Sequence, residues 1–410
     1  MAEPAPSPAP PPALGTALHP AYGGLVGSVA SWFGAWGLQQ VMFSWLVVGV
    51  LAAPAESVGI AQTSTMLPAI ALLLVGGAVA DRLDPRRLLI GLHLVAAVPM
   101  VLLALAVARG VLTLGGLIAY GLCMGTVMAF SNPARDSLLS RVAGSDVMRA
   151  VTGVTIAQFA SQGLGTLLGG AASWTGVPFM LGVQAAAVAA GGAAARRLPA
   201  APPERDPAAR PGGLHAFTGG LRFVLGSRLR AVLLLSCGVG VLFMGPFLVV
   251  FPLMVRDVYG GDVRQLSLVL MLFPVGTIAG SVVLLARGGI RRKGRGLLIA
   301  LGCGGLALVA IGQGLSFPGL LGVTLLWGMA GAVFMNASRT LFQEAAPSAL
   351  RARVLAVSQL GFMAMAPVGS LLAGFVSGRI GPLDTLVWFG GGMIVLVAAM
   401  AAVSGVGSME

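Results

Sequence analysis

The chain has 410 residues, of which 57% are hydrophobic and only 9% are charged. Soluble domains carry about 25% charged residues, so this composition and a mean hydropathy of +0.93 exclude an ordinary soluble protein and predict an all-α membrane protein. The net charge of +12 does not indicate nucleic-acid binding, because the basic residues lie between long apolar runs.

The N-terminal segment, residues 1–21, is rich in proline and alanine and has no basic stretch ahead of an apolar core. We therefore expect a disordered cytoplasmic tail rather than a cleaved signal peptide. The three cysteines lie inside apolar runs, and the three histidines are scattered along the chain. We expect neither a disulfide nor a metal site, and the sequence indicates no cofactor.

Twelve runs are long enough to cross a bilayer, since a spanning helix needs about 20 mainly apolar residues. If the N-terminus lies in the cytoplasm, the cytoplasmic loops receive 21 of the 25 basic residues. This asymmetry supports the count of twelve and predicts cytoplasmic positions for both termini, with basic loops facing anionic lipid head groups. The predicted limits are 24–51, 57–80, 86–108, 111–139, 147–172, 175–195, 229–255, 264–286, 294–313, 317–343, 350–377 and 381–404.

The chain divides near its middle. Residues 199–213 are polar and rich in proline and glycine, as is typical of a linker, and residues 214–228 are expected to form a short interfacial helix. The predicted layout is a six-helix bundle over 22–198, a cytoplasmic linker over 199–228 and a second six-helix bundle over 229–405.

The two halves resemble each other in sequence. NPARDSLLSRVAGSDVMRAV begins at Asn132 after the fourth run, and NASRTLFQEAAPSALRARVL begins at Asn336 after the tenth. At the same offset of 204 residues, Arg135 pairs with Arg339, and glycines in the following helices also coincide. Two six-helix halves joined by a cytoplasmic linker are the layout of many secondary transporters, whose substrate site lies between the halves near the bilayer midplane.

The loop after the second run, within GGAVADRLDPRRLL, carries a family motif. Gly77, Asp81, Arg82, Arg86 and Arg87 resemble the motif G-x-x-x-D-R-x-x-R-[RK] of the major facilitator superfamily, with one extra residue before the last two basic positions. Together with NPARDSLLSRV and LRARV, this form is similar to the efflux branch that holds the enterobactin exporter and the macrolide pumps. The resemblance implies twelve helices in two pseudo-symmetric bundles, in a bacterial cytoplasmic (inner) membrane.

In this superfamily the acid of the motif faces the N-terminal end of the eleventh helix. The resemblance therefore implies that Asp81 latches near residues 350–353 when the cytoplasmic side is closed and releases when it opens. A helix N-terminus carries about half a positive charge, which attracts a carboxylate. The arginines of the motif would organise the loop and pair with neighbours or lipid phosphates. The alternative is that these charges only set the topology of the chain.

Charged and amide residues at the cytoplasmic ends of the fourth and tenth runs are candidate gate residues. We expect them to form ion pairs within or between the halves, and the alternative is that they snorkel into the membrane interface. The candidates are Asn132, Arg135, Asp136, Asn336, Arg339 and Glu344.

Polar, aromatic and thioether residues inside the apolar runs are candidate cavity residues, because polar groups at such positions are costly in a membrane. The adjacent Gln39 and Gln40 cannot share a helix face, so at most one of them faces the cavity fully. Such a lining suits amphipathic, mostly apolar small molecules, and interhelical packing is the competing interpretation for each residue. The candidates are Trp32, Trp36, Gln39, Gln40, Gln158, Gln162, Gln359 and Met363.

The sequence leaves the coupling mechanism open. A proton-driven pump needs a carboxylate whose pKa is raised by burial, and relatives in the efflux branch often carry an Asp where this chain has Ala35. Asp136, Glu344 and Asp257 are peripheral candidates. We expect a monomeric secondary transporter that exports an amphipathic small molecule with proton coupling. Uptake, facilitated diffusion and lipid or lysolipid translocation are the alternatives within transport.

Other functional classes fit the sequence less well. The motifs H-E-x-x-H, G-x-S-x-G and G-x-G-x-x-G are absent, and the sole lysine, Lys293, does not belong to a Walker A motif. An enzyme or an ATP-driven pump is therefore not expected. A non-transporting receptor of the same fold is a distant alternative, which transport of any ligand by the purified protein in liposomes would exclude.

Asp81→Asn is expected to cripple transport while leaving membrane insertion intact. The amide keeps the size of the side chain but loses the charge that a helix N-terminus attracts. The measurement is substrate flux in proteoliposomes, together with the amount of protein in the membrane fraction. Normal flux by the variant would contradict the latch.

Overall fold

The computed structural model describes residues 19–143, 147–200, 214–347 and 350–409. All regular secondary structure in these residues is helical. Residues 1–18 of the predicted N-terminal tail and residues 201–213 of the predicted linker lie outside the described residues.

Ten helices among the described residues are long and apolar enough to cross a membrane. We number them by their place in the predicted series of twelve and call them spans. They are span 1 (Tyr22–Val50), span 3 (Pro85–Ala108), span 4 (Leu114–Val142), span 6 (Val177–Ala195), span 7 (Leu229–Asp257), span 8 (Val263–Ala286), span 9 (Lys293–Gly312), span 10 (Phe317–Ala345), span 11 (Arg351–Ile380) and span 12 (Pro382–Val403).

The second and fifth predicted spans are helical too, but their limits differ from the prediction. Span 2 is interrupted at Leu72, which separates a helix over Ala55–Ala71 from one over Leu73–Arg82. Span 5 is a helix over Val147–Gly169, and a separate turn over Ala172–Thr175 follows it. Together with the other ten, these segments complete the twelve-helix architecture.

Each half packs its six spans in the same way. In the N-terminal half, span 1 packs against spans 5 and 6, span 4 against spans 2 and 3, and span 3 against span 6. In the C-terminal half, span 7 packs against spans 11 and 12, span 10 against spans 8 and 9, and span 9 against span 12. The sequence repeat is therefore also a structural repeat. A short linker helix, Leu214–Leu225, packs against spans 7 and 11.

Glycines allow the helices of each half to approach backbone to backbone. A Cβ atom on Gly165 of span 5 would lie 1.9 Å from the carbonyl oxygen of Gly34 in span 1. A Cβ on the repeat-related Gly369 of span 11 would lie 2.6 Å from the carbonyl oxygen of Gly240 in span 7. Only a residue without a side chain fits at such crossings, which bring the two helix backbones into van der Waals contact.

The two halves meet at the end of the molecule away from the termini. Span 2 packs there against span 11, and span 5 packs against span 8. The Thr63 hydroxyl donates a hydrogen bond of 3.2 Å to the Pro367 carbonyl, which joins spans 2 and 11. The Ser267 hydroxyl donates one of 2.6 Å to the Thr166 carbonyl, which joins spans 8 and 5. The repeat relates these two pairs of spans and their hydroxyl donors, Thr63 and Ser267, so the closed end is itself pseudo-symmetric.

Gln62 adds a polar contact across this closed end. Its side-chain amide lies 2.9 Å from the Ser44 hydroxyl of span 1 and 3.3 Å from the Leu248 carbonyl of span 7. The side chain is buried, so these hydrogen bonds satisfy a group that would otherwise be costly in an apolar interior. Gln62 thus ties span 2 to its own half and to the opposite half at once.

Arg256, at the end of span 7, also joins the two halves at the closed end. Its guanidinium donates to the Val48 carbonyl at 3.0 Å and to the Ala53 carbonyl at 3.1 Å, and both carbonyls belong to the N-terminal half. Asp257 pairs with the same guanidinium and holds it in place. An arginine at the end of span 7 therefore caps the end of span 1.

At the opposite end, which carries both termini, the contacts stay within each half. The Tyr22 hydroxyl donates to the Ala150 carbonyl at 2.8 Å inside the N-terminal half. Lys293 and Glu344 form an ion pair of 2.9 Å inside the C-terminal half. Among the described residues, the individual contacts named above between helices of the two halves lie toward the closed end. We therefore infer that the gap between the halves is open toward the end that carries the termini.

Gly165→Ala is expected to destabilise the protein by about 1–3 kcal/mol, because the added methyl group overpacks the crossing of spans 1 and 5. Gly163→Ala is the matched control, since a Cβ at Gly163 meets nothing within 4 Å. The measurement is thermal unfolding of both variants after purification in detergent. Equal unfolding midpoints for the two variants would contradict the proposed role of the crossing.

Arg256→Ala is expected to loosen the closed end, since it removes two charge-assisted hydrogen bonds between the halves. Such bonds contribute about 1.5–3 kcal/mol when buried, and less here because 26% of the side chain is exposed. Hydrogen–deuterium exchange should become faster around residues 46–56. Arg109→Ala, which removes an exposed arginine at the same end, is the control and should leave the exchange unchanged. Equal exchange in wild type and Arg256→Ala would contradict the prediction.

Candidate functional site

The gap between the halves is lined from the C-terminal side by span 11. Pro367 contacts span 2 at the closed end, and Met363 and Gln359 follow at intervals of four residues toward the open end. Residues four apart share a helix face, so both side chains lie on the face that diverges from span 2. Both are exposed. Span 11 thus presents a thioether and an amide to the gap.

Span 1 separates its two adjacent glutamines. Gln40 is half-buried and lies one turn before Ser44, which contacts Gln62 at the boundary between the halves. Gln39 is buried and faces the interior of the N-terminal half. Its carbonyl oxygen accepts a hydrogen bond from the Tyr120 hydroxyl at 3.1 Å and one from the Gln184 amide at 3.2 Å. Gln40 therefore lies toward the gap, whereas Gln39 is part of a buried polar cluster.

Gln158 and Gln162 of span 5 lie near span 1. Both are half-buried, and the Gln162 carbonyl lies against Gly37 of span 1 in the glycine crossing. Trp36 is half-buried and lines a crevice between spans 1, 3, 4 and 6, which also reaches Trp32. The crevice is too narrow to hold a water molecule. These candidates surround the core of the N-terminal half more closely than the middle of the gap.

Trp32 is the centre of a buried cluster in the N-terminal half. The edge of its ring meets His93 of span 3, with ring centroids 5.2 Å apart. The His93 Nδ1 lies 2.7 Å from the Leu89 carbonyl, to which it donates, and Nε2 lies 3.5 Å from the Ser28 hydroxyl. These contacts fix the orientation of a fully buried histidine ring.

Arg135 of span 4 covers this cluster. Its guanidinium carbon lies 5.5 Å from the centre of the Trp32 ring and 5.0 Å from the centre of the Phe33 ring. Nη1 donates to the Asn132 side-chain oxygen at 3.1 Å. The neighbouring Asp136 is exposed, and the ion pairs within 4.0 Å among the described residues do not include Arg135. A cation is therefore held among aromatic rings rather than against a carboxylate.

The corresponding residues of the C-terminal half are arranged differently. Asn336 donates to the Ala332 carbonyl of its own helix at 2.8 Å, and Arg339 is exposed. Glu344 pairs with Lys293 at the start of span 9. The repeat therefore keeps the asparagine and the arginine in sequence but not their surroundings, since Arg135 is buried and Arg339 is not.

The charged loop between spans 2 and 3 is a tight turn. Asp84 accepts from the backbone N–H of Arg86 at 2.9 Å and caps span 3, which begins with a proline. Arg86 donates to the Arg196 carbonyl at the end of span 6. Arg87 lies 3.8 Å from Asp84, and Arg82 is exposed. Asp84 thus fixes the backbone of this turn, and the Arg86 side chain attaches the turn to the end of span 6.

Asp81 lies in the last turn of the helix Leu73–Arg82, and its side chain lies outside the described residues. The glycine that packs tightly in this helix is Gly76, whose Cβ would lie 2.1 Å from the Ala129 carbonyl oxygen of span 4. Gly77, the glycine of the predicted motif, has no neighbour within 4 Å of such an atom. The close approach between spans 2 and 4 therefore depends on the residue before the motif glycine.

Sequence reasoning did not single out four residues that the structure brings to important positions. His93, Tyr120 and Gln184 belong to the buried clusters of the N-terminal half, and Arg256 joins the halves. A histidine inside an apolar run was a usable signal, because ionisable groups are costly there. No group of three or more metal-ligating side chains occurs in the part of the chain that the structure describes.

Residues 24–370 match the sequence model of the family described as Major Facilitator Superfamily. No curated protein matches the chain. The nucleoside transporter NupG has a similar structure, with a TM-score of 0.74 and 17% identity over 93% of this chain and 98% of its own.

Two further solved structures are similar. A POT family transporter in complex with 5-aminolevulinic acid has a TM-score of 0.72 and 13% identity, over 94% of this chain and 96% of its own. A bacterial homolog of the human lysosomal transporter Spinster, in an inward-facing and unoccupied conformation, has a TM-score of 0.67 and 14% identity over the same shares. At such identities these likenesses show the fold alone. The family model, in contrast, covers well over half of the chain, and with the transporter fold it indicates transport rather than catalysis: the chain belongs to the major facilitator superfamily.

Proposed function

We propose that this protein is a secondary transporter that moves an amphipathic small molecule across a bacterial cytoplasmic membrane by alternating access. The observation that carries the proposal is the arrangement of the halves, which touch at one end and part at the other. Rocking of two rigid halves around a central site is the general mechanism of transporters with this layout. The glycine crossings inside each half make such rigid bodies.

The open end faces the cytoplasm in this proposal. The loops on the side of the termini hold 21 of the 25 basic residues, and basic loops favour the cytoplasmic face. The state is then open to the cytoplasm and sealed toward the outside by Gln62, Arg256 and the hydroxyls of Thr63 and Ser267.

Export is the direction that the sequence supports. The loop motif with Asp81, together with NPARDSLLSRV, is similar to the efflux branch of the superfamily. A cytoplasm-open state is the one in which an exporter takes up its substrate. Gln40, Gln359 and Met363 provide a mixed amide and thioether lining at the gap, which suits a molecule with polar and apolar parts.

Facilitated movement without proton coupling is the second candidate, and the exposure of the carboxylates favours it. Among the described residues, no Asp or Glu side chain is buried. Glu344 pairs with Lys293, and Asp257 pairs with Arg256 at the closed end. Proton coupling of the proposed export would instead depend on Asp136, which is exposed beside Arg135.

Flux in proteoliposomes separates these candidates. Ligands are first selected by their ability to stabilise the purified protein, from antibiotics, siderophores, vitamins and lysolipids. Flux of a selected ligand is then measured with and without a pH gradient. Proton-coupled export predicts faster flux when the gradient is imposed, and Asp136→Asn should remove that stimulation. Flux that is the same with and without the pH gradient would contradict proton coupling and support facilitated movement. Absence of flux for every stabilising ligand would contradict transport.

A further inference from the structure

Arg135 is a buried cation with one unused edge. Only 6% of the residue is exposed. Its guanidinium carbon lies over the Trp32 and Phe33 rings, and Nη1 donates a hydrogen bond to the Asn132 side chain. Nε and Nη2 have no hydrogen-bond partner. These two nitrogens form the side of the guanidinium whose parallel N–H bonds match the two oxygens of a carboxylate or a phosphate.

Two further buried donors on residues near Arg135 have no hydrogen-bond partner either. The indole nitrogen of Trp32 is buried without a partner, and so is the Ser131 hydroxyl, one helical turn before Arg135. Buried polar groups are normally hydrogen-bonded, and buried charges are normally paired. The neighbouring Asp136 attracts Arg135 but forms no ion pair with it within 4.0 Å. A cluster of unpaired donors around a cation indicates a ligand that supplies acceptors and negative charge.

The repeat argues against a merely structural role for this arginine. Arg339 is its counterpart at the offset of 204, yet Arg339 is exposed. The glycine crossings align Gly34 with Gly240, so the counterparts of Trp32 and Phe33 are Gly238 and Val239, which carry no ring. The C-terminal half folds in the same way without a buried arginine or its rings. The fold does not require the cluster.

We propose that Arg135 is an anion-binding residue of the substrate site, and that the transported molecule carries a carboxylate or phosphate on an apolar, aromatic-compatible body. The anionic group accepts hydrogen bonds from Nε and Nη2 of Arg135, and the Trp32 indole and the Ser131 hydroxyl donate to its remaining oxygens. The apolar body lies toward Trp36 and the gap. This inference rests on the proposed transport function and names its substrate class.

The anion reaches Arg135 from the open end. Arg135 lies in the last three turns of span 4, on the side of the termini, where the halves are apart. The guanidinium is almost covered, so adjacent side chains have to shift before an anionic group reaches it. Only a small planar or tetrahedral group fits there, and the bulk of the molecule stays in the gap. The negative charge then neutralises Arg135 while the carrier changes state.

Binding to the purified full-length protein tests the proposal. The probes are 2-naphthoate and 2-naphthyl phosphate, with neutral 2-naphthamide as the matched compound, at constant ionic strength. Wild type is expected to bind the two anions at least about tenfold more tightly than the amide. Arg135→Gln should remove this preference and leave the affinity for naphthamide unchanged. Arg339→Gln, the repeat-related control, should keep the wild-type preference.

A second variant covers the case in which Arg135→Gln does not fold. Arg135→Lys keeps the positive charge but loses the two parallel N–H donors of the guanidinium, so it should weaken naphthoate binding. Thermal unfolding of this variant without a probe should stay close to that of wild type. Wild type with equal affinity for naphthoate and naphthamide, or with no affinity for either anion, would overturn the proposal. Equal weakening of anion and amide by Arg135→Gln, or an unchanged anion preference in Arg135→Lys, would also overturn it. Flux of neutral ligands with no anion preference would overturn this inference alone, whereas absence of all flux would overturn the transport proposal.

Discussion

The close approach of helix backbones at the glycine crossings is the constraint on which the rest of the structure depends. Lipid tails are as apolar as the side chains, so helices in a membrane associate through close packing rather than through the hydrophobic effect. Gly34 with Gly165, and Gly240 with Gly369, bring spans 1 and 5 and spans 7 and 11 together at the centre of each half. Each half is therefore tightly packed internally. The contact between the halves lies at one end, where hydrogen bonds and a close backbone approach at Gly59 and Gly374 join them.

This difference in packing has a mechanical consequence. The two helices of a glycine crossing inside a half cannot separate without losing many contacts between their backbones. The contacts between the halves are confined to one end, where side chains such as Gln62 and Arg256 accompany a close backbone approach of Gly59 and Gly374. The proposed alternating access requires one half to move against the other, and contacts confined to one end are compatible with such a motion.

The two halves share a fold and differ in chemistry. The N-terminal half buries polar groups around Gln39, His93 and Arg135. The C-terminal half instead has a cluster of aromatic rings in contact with one another between spans 7, 8 and 10. The cluster consists of Phe243, Phe247, Phe251, Phe273 and Trp327. A repeat that is symmetric in helix packing and asymmetric in polar content matches a carrier whose substrate has a charged part and an apolar part.

Much of the fold and some of the site could be predicted from the sequence. The composition and the length of the apolar runs determined an all-helical membrane architecture, because every backbone polar group in a bilayer has to be satisfied within its own helix. The offset of 204 residues determined the repeat, and the periodicity of span 1 showed that Gln39 and Gln40 face different directions. These properties are local or periodic, so they are visible along the chain.

The remainder was decided by contacts between residues distant in sequence. The sequence pairs Arg135 with Arg339, but only packing against span 1 buries the first under Trp32 and Phe33 and leaves the second exposed. The sequence places Arg256 in an outer loop, but only the tertiary structure aims it at the carbonyls of Val48 and Ala53. The sequence by itself therefore determined which segments cross the membrane and how they repeat. Only the tertiary structure decided which charges are buried and which end is closed, because burial and contact between helices depend on side chains brought together from different spans.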